Sequence, residues 1–241
     1  MNTAPSDITL TGITWNHTRG FLPVLATAQR FSEMHTGVSI DWQKRSLQQF
    51  ADAPLARLTS SFDLLVIDHP SIGEAASEGL LVPLDQHLDP DFLADHAANS
   101  VGHSHASYNY EGHQYALAID AATPVAGFRP DLLSPADLPH TWDDLLTLAR
   151  AGKVTVPAIP IDSLMNLFML ANALGAEPFT TPNAVIAHEQ QDQGREALQL
   201  LRELVQVSAP GSLDRNPIRT WQLLAESDTI AYCPFAYGYS N

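Results

Sequence analysis

The chain is short of cysteine, of basic residues and of long apolar runs, and each shortage excludes something. Cys233 is the single cysteine among 241 residues. An intramolecular disulfide and a cysteine-based zinc site are therefore both ruled out. Twelve Lys and Arg stand against 27 Asp and Glu, a net charge of −15. Such a surface is repelled by nucleic acid and by anionic membranes, which removes both as partners. No window reaches the roughly 18 consecutive apolar residues of a membrane span. The opening "MNTAPSDITL" has neither the basic region nor the apolar stretch of a signal peptide. A cytosolic protein, or an exported one whose signal has been removed, fits that opening. Catalytic signatures are missing as well: there is no Gly-x-Ser-x-Gly elbow, no phosphate-cradling glycine loop and no His-Glu-x-x-His. No cofactor is called for. What remains is 45% hydrophobic and 16% charged, enough to bury a core in one large domain or two small ones.

Hydrophobic periodicity alternates between strand and helix. "ITLTGI" (8–13) reads as a strand. The helix after it carries Phe21, Leu25, Ala28 and Phe31 on one stripe, tolerates Pro23 early, and stops at Gly37. "VSIDW" (38–42) is a second strand. "FDLLVI" (62–67) is a continuous apolar run of the kind buried on both faces of a parallel sheet. This order predicts an α/β layer fold with right-handed crossovers. Further on, a short helix ends at Gly79, and "GHQYALAI" and "VAGF" read as strands flanking "DAATP". "TWDDLLTLARAG" is a helix capped by Thr141, with Asp143 and Asp144 in its positive first turn and Gly152 at its end. "VTVPAIP" is extended. "DSLMNLFMLANALG" is an apolar helix, and "GREALQLLRELVQV" an amphipathic one with Leu198, Leu201 and Val205 on its stripe. "PIRTWQLLAES" begins on Pro217 at its first turn, and "TIAYCPF" is a last strand running into a loop at Pro234.

Ligands of open parallel sheets sit beyond the carboxyl ends of the strands. The first strand runs into Trp15, Asn16 and His17, the third into Asp68, His69 and Pro70, and the last into Pro234, Phe235 and Tyr237. Aromatic faces beside amides, imidazoles and a carboxylate suit a small organic ligand. The same residue types also serve as core (Trp15) and turn decoration. Few Arg or Lys fall at these strand ends, which disfavours an anionic ligand. The segment from His96 to His113, with a His-x-His pair at His103 and His105, reads as a solvated loop; a zinc or copper site there, with Asp95 or Glu111, is the competing reading. Cys233 suits a small buried apolar position.

Several stretches together resemble the extracellular solute-binding proteins of ABC importers, the maltose-binding-like group (family 1). They are "FDLLVIDHPSIGEAASEGLLVPLD", "YEGHQYALAIDAATPVAGFRPDLL", "LPHTWDDLLTLA", "ALGAEPF" and "NPIRTWQLLAESDTIAYCPFAYGYSN". Order and spacing carry the likeness, which runs over nearly the whole chain. It implies a type II periplasmic-binding-protein-like fold: lobe one over 1–119 and a mostly helical lobe two over 120–241. It implies a small solute, a sugar or polyol, held between lobes and delivered to an ABC permease in a periplasmic or extracellular setting. The ligand contacts carried over are Trp15, Asn16, His17, Asp68 and His69, then Asp120 with Ala121 at the crossing, then Met165, Phe168, Tyr232, Phe235 and Tyr237. Family members continue past a segment like "YCPFAYGYSN" for on the order of a third of their length. The resemblance therefore implies C-terminal truncation, and exposed apolar surface that a second copy would cover in a homo-oligomer. An α/β hydrolase using Asp68 with His69 or His17, and a metal-binding protein using the histidine segment, are the alternatives.

Overall fold

The computed structural model describes residues 8–35, 37–46, 49, 54–181 and 183–239. The chain falls into two compact units, one running to Ala121 and the other from Ala122 to Tyr239.

Unit one is built on a parallel sheet in the order β2-β1-β3. β1 (Ile8–Trp15) is central, and β2 (Val38–Arg45) pairs along its whole length, Ile8 against Val38 through to Trp15 against Arg45. β3 is only Leu64–Leu65, set against Gly12 and Ile13. The connection between β1 and β2 is α1 (Thr18–Met34), which packs along both strands. Its fully buried residues are Gly20, Val24 and Ala28; of the expected stripe Ala28 is buried, Phe21 and Leu25 are half-buried, and Phe31 is exposed. Small residues win because the helix lies close to the sheet: the Thr14 hydroxyl donates to Gly20 O at 2.9 Å. On β1, Ile13 meets α2 (Leu55–Thr59) and α3 (Ile72–Ser77) through Leu55, Leu58 and Ala75. The third strand departs from expectation. None of "FDLLVI" is fully buried, since β3 occupies a sheet edge and only Ile13, Leu55, Leu58 and Ala75 line the fully buried centre beside it. "GHQYALAI" is also mostly not a strand. Only β5 (His113–Gln114) pairs, in a hairpin with β4 (Asn109–Tyr110), and α4 (Pro90–Asn99) precedes it. Asp85 pins the hairpin, taking the Gln114 N–H at 2.8 Å and His113 Nδ1 at 2.9 Å.

Unit two centres on the antiparallel pair β6 (Pro124–Phe128) and β7 (Tyr232–Tyr237). The extended segment 153–158 lies beside β7, with Thr155 N donating to Tyr232 O and Tyr232 N to Lys153 O, both at 3.0 Å. α5 (Trp142–Arg150), α6 (Pro160–Ala173) and α7 (Gln191–Val207) bury Leu145, Leu146, Leu170, Leu201 and Leu204 with Val154 and Phe235. α8 (Pro217–Glu226) closes a smaller cluster with Ile230, Cys233 and Ala236. Cys233 is fully buried there, as its composition suggested. Thr141 forms a capping box with Asp144 at α5, and Gly152 follows with φ +75°. Arg129 closes α8 from outside, donating through Nη1 to the carbonyls of Leu224, Ala225 and Ser227 while Asp131 holds the guanidinium.

Two expectations in this unit are corrected. The buried stripe of α7 is Ala197, Leu201 and Leu204; Leu198 is 54% exposed. Two apolar stripes can be drawn through Leu201, one residue apart, and contact with α5 and α6 selects the one carrying Ala197. The last strand does not stop at Pro234. Val125 pairs with Ala236 and Gly127 with Cys233, so β7 holds an extra residue across Pro234–Phe235. A bulge leaves a residue outside the ladder, which suits a proline with no N–H to donate. It also re-phases the strand, putting Tyr232 and Phe235 toward the α5–α7 core and Cys233 and Ala236 toward α8.

Candidate functional site

In unit one the three strands deliver their carboxyl ends to one edge. β1 ends on Trp15, opposite Arg45 of β2, and the chain leaving β3 returns Val66 N to Ile13 O at 3.0 Å before reaching Asp68. Trp15, 8% exposed, lies over the start of α1, where a Cβ on Gly20 would sit 2.0 Å from its Nε1. His17 is the N-cap of α1. Its Nδ1 accepts from Arg19 N at 3.3 Å, which fixes the proton of the neutral ring on Nε2. Burial, and then the Arg19 charge, hold the His17 pKa below its ordinary value. The neutral imidazole stacks on the Trp15 indole, centroids 4.6 Å apart and planes 4° from parallel. The Arg19 guanidinium lies 5.8 Å from the Trp15 ring centroid, and its Nε donates to Asp120 Oδ2 at 2.5 Å.

A second group adjoins the end of β3. Arg45 is buried and donates to Val66 O at 3.0 Å. Burial lowers its pKa and Asp68 offsets part of that. Desolvation raises the Asp68 carboxyl, with His69 and Arg45 pulling it back down. Tyr108 donates its hydroxyl to Ile67 O at 3.2 Å and sits edge-on to His69, centroids 6.5 Å apart. Its pKa is raised by burial, then by Asp68, then by Asp120, so the hydroxyl senses both carboxylates. Of the sequence candidates, Trp15, His17 and Asp120 are joined through Arg19, and Asp68 and His69 through Tyr108. Asn16 is exposed, its backbone N–H bound to Arg45 O at 2.7 Å. Arg19, Arg45 and Tyr108 were not singled out from sequence. The first follows His17 by two residues and the second ends a strand, a place that already pointed to ligand chemistry.

In unit two, Phe168 meets Phe179 edge-on at 5.0 Å and lines an apolar groove of about 270 Å³ with Leu167, Val185, Ile186 and Leu198. Met165 is half-buried on α6. Tyr232 is half-buried against the α5–α7 core, and burial raises its hydroxyl pKa. Phe235 is 6% exposed in that core. Tyr237 offers its backbone carbonyl to Trp221 Nε1 at 2.7 Å. Asp162, in the first turn of α6, is 6% exposed, and its Oδ2 has no hydrogen-bond partner among the described residues. Burial alone pushes its pKa up to about 6.

The histidine segment is more ordered than a solvated loop. His96 Nε2 faces Ala118 O at 3.0 Å, and its Nδ1 meets His105 Nδ1 at 2.8 Å. Among the described residues, no three His, Cys, Asp or Glu side chains converge as a metal site. No described helix is long and apolar enough to cross a membrane.

Residues 26–232 match the profile of a family described as bacterial extracellular solute-binding protein. The maltotriose-binding protein of Pyrococcus abyssi is 32% identical over 83 residues, 34% of this chain and 17% of that protein. Among solved structures, an ABC transporter solute-binding protein from Agrobacterium radiobacter K84 in complex with ribitol is 18% identical with a TM-score of 0.72, covering 98% of this chain and 61% of that one. Another from Thermotoga lettingae, bound with α-D-tagatose, is 16% identical with a TM-score of 0.75, covering 95% and 62%. The fold is thus the mixed α/β fold of these binding proteins, and the chain spans about three-fifths of their length.

Proposed function

The chain belongs to the bacterial extracellular solute-binding protein family, and on that footing we propose that it binds a small polyhydroxylated solute, a sugar or polyol, for delivery to an ABC permease. The observation that carries this reading is the Trp15–His17 stack, held beside Arg19, Asp120, Asp68 and Tyr108 at the carboxyl edge of the unit-one sheet. The half-buried His17 ring, backed by the buried indole, is the flat surface offered to the C–H face of a sugar, while carboxylates and a phenol exchange hydrogen bonds with its hydroxyls. The neutral state of His17 favours an uncharged ligand there over an anion. Asn16 and His69 complete this set. Taken by itself, unit two carries the further candidates Met165, Phe168, Tyr232 and Tyr237, while Phe235 lies in its core. The ribitol and α-D-tagatose held by the structural neighbours are of the same chemical class.

The working location is periplasmic or extracellular, and the protein acts by binding, not catalysis. Self-association through exposed apolar side chains such as Phe179 and Leu198 is part of the same reading, and light scattering measures it. The central test is thermal melting of the 241-residue chain with ribitol, D-mannitol, α-D-tagatose and maltotriose. A binder raises Tm with solute concentration by mass action. A Tm unmoved by all four at saturating concentration overturns the reading.

A further inference from the structure

Two histidine rings of unit one are joined to each other. His96, on α4, and His105, in the turn ahead of β4, bring their Nδ1 atoms to 2.8 Å. The surroundings fix the direction of that hydrogen bond. His96 Nε2 lies 3.0 Å from Ala118 O, and a carbonyl only accepts, so the proton of neutral His96 sits on Nε2. Its Nδ1 is then an acceptor. Ser100 Oγ, 3.5 Å from that atom, spends its proton on His96 O at 2.7 Å. His105 is therefore the donor, through Nδ1–H. The pair takes one added proton, on His105 Nε2, with this bond intact. A second, on His96 Nδ1, sets two N–H groups head to head and two like charges side by side.

The bond sits in a wider network. His105 O accepts from Gln114 Nε2 at 2.9 Å, and the same amide donates to Ala116 O at 2.8 Å. The two rings thus fasten α4 and the turn at His105 to the segment 114–118. Asp120, held by Arg19 in the candidate site, lies two residues beyond Ala118. The other charged groups around the pair have their own partners. Asp95 and Asp120 line a pocket of about 340 Å³ with His96; Asp95 accepts from Asn99 Nδ2 at 3.0 Å, and Asp120 from Arg19. His113 of β5 is held by Asp85, and His103 is exposed. Burial first, and the His96 charge second, lower the His105 pKa.

We propose that His96 and His105 form an acid-sensitive latch: the single proton between their Nδ1 atoms fastens α4 to the segment leading to Asp120, and full protonation of the pair releases that segment. The unfolded chain takes up both protons freely and the folded pair resists them. Stability contributed by the latch is therefore complete above the ordinary histidine value of about 6.5 and is lost as pH falls below it. Release loosens the Arg19–Asp120 pair and with it the grip on solute. The latch stands on unit-one geometry alone; the loss of grip rests on the solute-binding reading above.

The test compares the parent with His105→Asn at about pH 7.5 and about pH 5, which bracket the ordinary histidine value. The asparagine amide donates where His105 Nδ1 does and, turned over, accepts from a charged His96, so the variant keeps the bridge without the conflict. Ring-nitrogen NMR of the parent at the higher pH is expected to find the proton on Nδ1 of His105 and on Nε2 of His96. The urea midpoint of the parent should fall further on acidification than that of His105→Asn, Asp162 being common to both. A His105 proton found on Nε2, or equal falls in the two proteins, overturns the latch. If the variant does not fold, the ring tautomers of the parent decide alone. Calorimetry with ribitol, D-mannitol, α-D-tagatose and maltotriose reads the effect on the site. Acid should weaken binding in the parent by about fivefold or more beyond its effect on His105→Asn, the low end of coupling between sites. Equal losses overturn the link to the site. A parent that binds none of the four at either pH overturns the loss of grip together with the solute-binding reading, while the latch stands on the rings and midpoints.

Discussion

Gly20 and Trp15 are in direct contact: a Cβ at position 20 would fall 2.0 Å from the indole Nε1. The first turn of α1 thus packs against the buried indole on which His17 stacks, and the missing side chain is what allows the approach. In a free helix Gly→Ala stabilises by about 1 kcal/mol. Here the sign reverses. Gly20→Ala must displace Trp15 or the helix start, at a cost of roughly 1–3 kcal/mol. The expected outcome is a lower Tm together with lost solute-induced stabilisation, and an altered tryptophan emission reports the displaced ring.

Thr141 and Asp144 satisfy each other's backbone at the start of α5. Removing the hydroxyl in Thr141→Ala costs about 1 kcal/mol. Thr141→Ser keeps the cap, so urea midpoints should rank parent and Ser together above Ala. Equal midpoints for all three would contradict the cap's role.

Cys233 is fully buried and its thiol is pushed up to about 12 by burial. Thiolate is the reactive form. Labelling by a disulfide reagent at neutral pH is therefore expected to stall on the native chain and to reach one thiol per chain only as urea unfolds it. Rapid native labelling would mean that the β7–α8 cluster opens on its own.

Asp162 also sets a pH dependence for the solute-free protein. Its carboxyl moves from 3.8 to about 6 in the native state. The native chain therefore binds this proton more tightly, and stability falls as pH rises between those values. The shift amounts to roughly 3 kcal/mol, fully felt above pH 6 and gone below the unfolded value. Parent and Asp162→Asn should differ most in the upper range and converge near pH 4.

Much of the fold is legible because its signals are local. Thr141 with Asp144, Gly79, Gly152 and Pro217 each encode a helix boundary in a few residues, and the structure places those boundaries there. Strand ends were also readable, which is why Trp15, His17 and Asp68 were named from order alone. What escaped depends on partners distant in sequence. Leu198 and Ala197 are equivalent until α5 and α6 choose between them. Pro234 reads as a terminator until β6 supplies a register with room for a bulge. Arg19 gains its meaning from Asp120, 101 residues away. Asp162 reads as an ordinary helix-start acid; only its packing shows that water has been shut out.

The extra residue in β7 makes this strand a key with one tooth. Slid by one residue along β6, it would exchange the sides on which Phe235 and Ala236 emerge. A regular ribbon can settle in neighbouring alignments that differ little in energy, whereas this one has a single seat. Refolding of unit two should therefore yield one alignment of its C-terminal strand and not a mixture.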